Sequence, residues 1–172
     1  MSIANKLGPS YEAIRAQARI KTINVTLNDV EFELKVRIPV KREMDEMIER
    51  ISTPDSEKVE AVYEKLSKPL RATLEKAEDG FLEAINQENE QIKITDDDVV
   101  VNGTSVRQVA TMSAIWQTQV ECYFALLQTP TGEPVNESFE EISEEFPEGT
   151  LREIIKNIDE TIKPKYNETK KN

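Results

Sequence analysis

The chain has no histidine, one cysteine and five glycines among its 172 residues. Without histidine there is no imidazole metal ligand, no histidine general base and no Ser–His or Cys–His dyad. A lone Cys122 makes neither an internal disulfide nor a thiolate zinc cluster. The glycines are too few and too scattered for a phosphate cradle, and neither G-x-x-x-x-G-K-[ST] nor G-x-G-x-x-G occurs. Carboxylate pairs such as Glu140-Glu141 are so common here that two adjacent acids single out no glycosidase-like site. These absences point to a protein that is not an enzyme and uses no cofactor or metal.

Long apolar runs are also missing. No stretch approaches the ~20 apolar residues that span a bilayer, and the opening MSIANKLGPSYEAIRAQARIK has no apolar core of signal-peptide length. A cytoplasmic protein without membrane contact is expected. Positive charge is in deficit, with 22 Lys+Arg against 33 Asp+Glu and a net charge of −11. Non-specific nucleic-acid binding needs clustered cations to displace counterions, so nucleic acid is not an expected partner. The acidic excess is local: residues 51–100 and 101–150 each carry a net of −7, whereas the first 50 carry +1 and the last 22 carry +2.

What is present is strong local patterning. Ile23, Val25 and Leu27 alternate with polar residues, as do Val30, Phe32, Leu34, Val36 and Ile38 beyond Asn28-Asp29. A two-residue turn there sets Leu27 opposite Val30, Val25 opposite Phe32 and Ile23 opposite Leu34. That predicts a half-buried hairpin over 20–39, closed by Pro39. Met44, Met47, Ile48 and Ile51 then form one stripe of a helix over about 41–51, read either as packed core or as an adaptable binding surface.

A charged segment, 57–89, steps its apolar residues by three and four. Pro69 predicts a kink there, or two helices meeting near Lys68. Ile92, Ile94 and Val99–Val101 around Thr95-Asp96-Asp97-Asp98 predict a second short hairpin. The three aspartates lack the alternating ligands of a calcium loop. Residues 105–128 read as one broad apolar helix capped by Ser105, with a stripe through Val106, Val109, Ser113, Trp116, Val120, Tyr123 and Leu127. Capping boxes at Ser138-x-x-Glu141 and Thr150-x-x-Glu153 start helices over 138–146 and 151–162.

The expected fold class is α+β: mainly a helical bundle with an N-terminal β-hairpin and a second short hairpin. Residues 1–19 form an N-terminal arm, 20–163 a single domain and 164–172 a mobile tail.

The order of these features resembles the tail assembly chaperones of long-tailed (siphovirus) bacteriophages, the lambda G type. The segments that carry the resemblance are the hairpin with helix 41–51, SVRQVATMSAIW, and SFEEISEEFPEGTLREIIKNIDETI, and the resemblance as a whole covers residues 20–51 and 104–162. The charged stretch 52–100 is longer than in the simplest members of that family. The resemblance implies a non-catalytic role: binding the phage tape-measure protein, keeping it soluble, and delivering tail-tube protein around it. Met44, Met47, Trp116 and Tyr123 are the candidate protein-binding residues, because Met and aromatics favour adaptable interfaces; core packing is the competing reading of each. A homo-oligomer is compatible with this role. Two other readings are a structural tail or head-completion protein kept in the virion, and an acidic mimic of DNA. Mimicry is weakened by Lys58, Lys65, Lys68, Arg71 and Lys76, interleaved through the charged helix.

Overall fold

The computed structural model describes residues 3–76, 80–81 and 91–163. It is an α+β protein, with two small sheets among the described residues. Residues 77–79 and 82–89 of the expected charged helix, and the expected mobile tail 164–172, lie outside the described residues. Where the sequence reads as one domain over 20–163, the chain divides into two compact units. One comprises residues 1–48 with 119–172, the other residues 49–118.

In the first unit the arm is helical, with α1 (Ile3–Leu7) and α2 (Pro9–Ala18). Strands β1 (Ile20–Leu27) and β2 (Val30–Arg37) pair antiparallel in the register that the alternation predicts, Leu27 with Val30 and Ile23 with Leu34. Asn28 and Asp29 take φ of 50° and 65°, the left-handed pair that a type I′ turn requires. α3 (Lys41–Ser52) follows Pro39.

The predicted helix over 105–128 is shorter than expected. α5 (Val106–Phe124) ends when Leu126 N–H turns back to the Tyr123 carbonyl. Leu127–Gln128 becomes a strand instead, β6, because it supplies partners to the open edge of β2 at Val36 and Lys35. The sheet order is therefore β1-β2-β6.

α6 (Phe139–Glu145) begins at the Ser138 capping box as predicted, with both reciprocal hydrogen bonds formed. α7 (Glu148–Ile162) does not begin at the second box. Pro147 supplies the start, Thr150 is buried in the first turn, and the Glu153 carboxylate accepts from Thr26 N–H of β1 at 3.2 Å. Asn157 Nδ2 donates to the Asn24 carbonyl of the same strand at 3.1 Å. Two side chains of α7 thus occupy one donor and one acceptor of β1, groups that a neighbouring strand would otherwise seek. The apolar side of α7 (Leu151, Ile154, Ile155, Ile158, Ile162) is buried, as are Ile23, Val25 and Val36 of the sheet. At roughly 1.5–3 kcal/mol for each large aliphatic side chain removed from water, this face contributes substantially to the unit's stability.

In the second unit α4 (Ser56–Glu75) starts at Asp55, whose carboxylate accepts from Glu57 N–H. It runs through Pro69 as one helix rather than as two meeting near Lys68. Pro69 is exposed and removes one N–H from the ladder without ending it. β3 (Ile92–Ile94) and β4 (Val99–Val101) form the predicted second hairpin, joined by a third short strand, β5 (Thr104–Ser105). Ser105 caps α5 as predicted, its Oγ accepting from Gln108 N–H at 3.0 Å.

Asp98 ties this unit together. Its carboxylate accepts from Ser105 Oγ, from Val99 N–H at 2.8 Å and from Arg107 N–H at 2.9 Å. Burial pushes its pKa up, but these donors and the Arg107 charge outweigh that and hold it below the ordinary value. Tyr63, Val99, Val106 and Ala110 form the local core, with the Arg107 guanidinium 4.0 Å from the centre of the Tyr63 ring.

The stripe read along α5 is corrected in its second-unit part. Val109 and Met112 are exposed, and the buried line runs through Val106, Ala110, Ala114 and Thr118. Small side chains at i, i+4 and i+8 permit close approach of a neighbouring element, so bulk alone misplaces the face.

Candidate protein-binding groove

α3 is a helix for local reasons. Lys41–Asp45 and Arg42–Glu46 are ion pairs at i,i+4, each 2.7 Å. Glu43 reaches back to Val40 N–H at 2.8 Å, capping the first turn, and the same Oε2 atom accepts from Arg19 and Arg37, both at 2.8 Å. One carboxylate therefore joins the end of the arm, the end of β2 and the start of α3. Burial alone would raise the Glu43 pKa; the Val40 and Arg37 hydrogen bonds and the two guanidinium charges bring it below the ordinary carboxylate value.

The apolar side of α3 does not behave as core. No residue of this helix is buried: Met44 and Met47 are half-exposed and Ile48 is 53% exposed. Met44, Met47 and Ile48 instead line a groove of about 610 Å³ within the first unit, together with Pro39, Tyr123 and Ile162. That volume lies in the range of ordinary binding sites. The methionine stripe is therefore not packed core.

The groove is apolar inside and electrically balanced at its edge. Lys41 and Asp45 stand on one side, and Asp159 and Lys163 on the other, each lysine paired with an aspartate four residues away on its own chain segment. Tyr123 is 7% exposed, so it forms wall rather than anchor. Its hydroxyl donates to Asp159 Oδ1 at 2.7 Å, while Lys163 holds Oδ2. Burial first, and the Asp159 carboxylate second, push the Tyr123 pKa up to about 12. The phenol stays protonated at neutral pH and offers no nucleophile or base.

Three of the four candidate residues thus meet in one place: Met44 and Met47 on α3, and Tyr123 at the end of α5. Trp116 does not join them; it is half-buried on the part of α5 that belongs to the second unit. The opposite wall, Asp159, Ile162 and Lys163, was missed. The 159/163 spacing is an i,i+4 pair like 41/45, a signal that marks helix surface but names no partner across the groove. Among the described residues no three of Cys, Asp and Glu converge as a metal-holding group, and no helix is long and apolar enough to cross a membrane. Comparison of the chain with protein-family models, curated proteins and solved structures found no match.

Proposed function

We propose that this protein is a non-catalytic binding module that covers apolar helical segments of another protein, and that it serves as a tail assembly chaperone of a long-tailed phage. The observation that carries the reading is α3: a strongly amphipathic helix none of whose apolar residues is buried, lining an open groove. An amphipathic helix laid into such a groove would contact Met44, Met47 and Ile48 as adaptable surface and the Tyr123 ring as rigid wall. Tape-measure proteins are long helices with apolar stripes that need a temporary cover before the tail tube surrounds them. The balanced rim suits that task, since two internal ion pairs leave no net charge to select a charged ligand.

The test is co-expression with the tape-measure protein of the same phage. The soluble yield of that protein rises with the wild-type chain and falls back with Met44→Asp/Met47→Asp. No change in solubility with the wild-type chain refutes the chaperone reading. Recovery of the chain in purified virions would favour a structural tail protein instead.

A further inference from the structure

The two walls of the α3 groove are held by different forces. On one side Tyr123 and Ile162 are buried, and the Tyr123 hydroxyl is tied to Asp159. Packing fixes that wall, because moving either side chain would open a void beneath it. On the other side, α3 buries none of its residues. Its ion pairs Lys41–Asp45 and Arg42–Glu46 lie within the helix, so they stiffen it without aiming it.

A polar cluster at the first turn does the aiming. The Glu43 Oε2 atom accepts from Arg19 Nη2, Arg37 Nη1 and Val40 N–H, all at 2.8 Å. These donors stand at the end of the arm, at the end of β2 and in the linker into α3. Arg19 also brackets Ile38, just before Pro39: its Nε donates to the Ile38 carbonyl at 2.9 Å, and Ile38 N–H donates to the Arg19 carbonyl at 2.6 Å. Arg37 is anchored in turn, its N–H donating to the Leu126 carbonyl at 2.8 Å. Capping the first turn needs only the Glu43–Val40 bond. Two guanidinium groups on the same oxygen go beyond capping and tie the helix to the sheet and to the arm.

We infer that Glu43 is the positioning residue of the groove, and that Arg19 couples the arm to it. Together they set how far the Met44 and Met47 wall stands from the Tyr123 wall. Without the cluster α3 keeps its helix but samples several directions as it leaves β2, and only a fraction of chains hold the groove at binding width. The apparent affinity for a helical ligand falls by that fraction. The arm helices α1 and α2, which line no part of the groove, thereby bear on its binding. The ligand part of this inference rests on the function proposed above; the positioning part does not, and is measured without a ligand.

The experiment measures groove width in the full chain by double electron–electron resonance. Spin labels are attached after Glu46→Cys on α3 and Glu160→Cys on α7, both exposed, while the buried Cys122 stays unlabelled. The labelled parent gives one narrow distance, and adding Glu43→Ala or Arg19→Ala turns it into a broad distribution. Glu43→Gln, which keeps an oxygen acceptor, restores part of the narrow component. Circular dichroism checks that each variant is folded, and the late ionisation of Tyr123, whose pKa is about 12, persists in all of them because the opposite wall is intact. A tape-measure peptide that binds the parent binds Glu43→Ala and Arg19→Ala about tenfold more weakly. A narrow, unshifted distance in both alanine variants overturns the inference, whether or not the peptide binds. Broadening in Glu43→Ala alone overturns the coupling to the arm. Broad distances in both, with no peptide bound by the parent, uphold the positioning and count against the proposed function instead.

Discussion

Tyr123 and Asp159, 36 residues apart, are joined by a hydrogen bond of 2.7 Å that fixes the end of α5 against the last turns of α7. The bond places an apolar ring face in the groove while the polar tip is spent on a carboxylate already paired with Lys163. Tyr123→Phe leaves the ring and removes the donor. A hydrogen bond to a charged acceptor is worth about 1.5–3 kcal/mol, and the partial exposure of Asp159 places the loss at the lower end of that range. Urea unfolding measures it, and groove binding should survive.

The same bond predicts behaviour in alkali. The folded pKa of Tyr123 is raised from 10.0 to about 12. A raised value means that the contribution is complete below the unfolded pKa and is lost as pH climbs to the folded one. Stability should therefore decline between pH 10.0 and about 12. One tyrosine should ionise late in a spectroscopic titration of the folded protein, and Tyr123→Phe should abolish that late step.

Acid acts through Glu43 and Asp98. Both carboxyls are lowered in the folded state: each is pushed upward by burial and pulled further down by its donors. Their stabilisation is complete above the unfolded values, roughly 4.3 for Glu and 3.9 for Asp, and is lost as pH falls through the lower folded values. Glu43→Gln and Asp98→Asn should each flatten the acid limb of a stability–pH curve. An unchanged limb in both would contradict the hydrogen bonding described for these groups.

Core and groove residues should separate cleanly in unfolding experiments. Ile158 is fully buried, and Ile158→Ala should cost about 2–5 kcal/mol. Met44→Ala and Met47→Ala, on a helix with no buried residue, should each cost about 1 kcal/mol or less. Losses at the methionines equal to that at Ile158 would return the stripe to the core.

Legibility in the sequence followed the range of the interaction. The hairpin was readable because period-two alternation and Asn28-Asp29 are local, and the Ser138 box because its partners are three residues apart. Thr150-x-x-Glu153 has the same spacing, yet Glu153 bonds to Thr26, 127 residues away, and no local rule distinguishes the two. Along α5 the bulky side chains drew the reading to Val109, whereas the chain buries Ala110 and Ala114. The groove was half legible: the methionine stripe is periodic, but its opposite wall on α7 is set by tertiary packing alone.

The four methionines allow the most direct test of the groove. Methyl-labelled methionine spectra would be recorded as a peptide from the apolar helical part of the tape-measure protein is added. The resonances of Met44 and Met47 should shift and saturate, with little dependence on salt, while Met112, exposed on the second unit, stays in place. Saturating shifts confined to Met112, or none at Met44 and Met47 while the peptide is bound, would contradict the account.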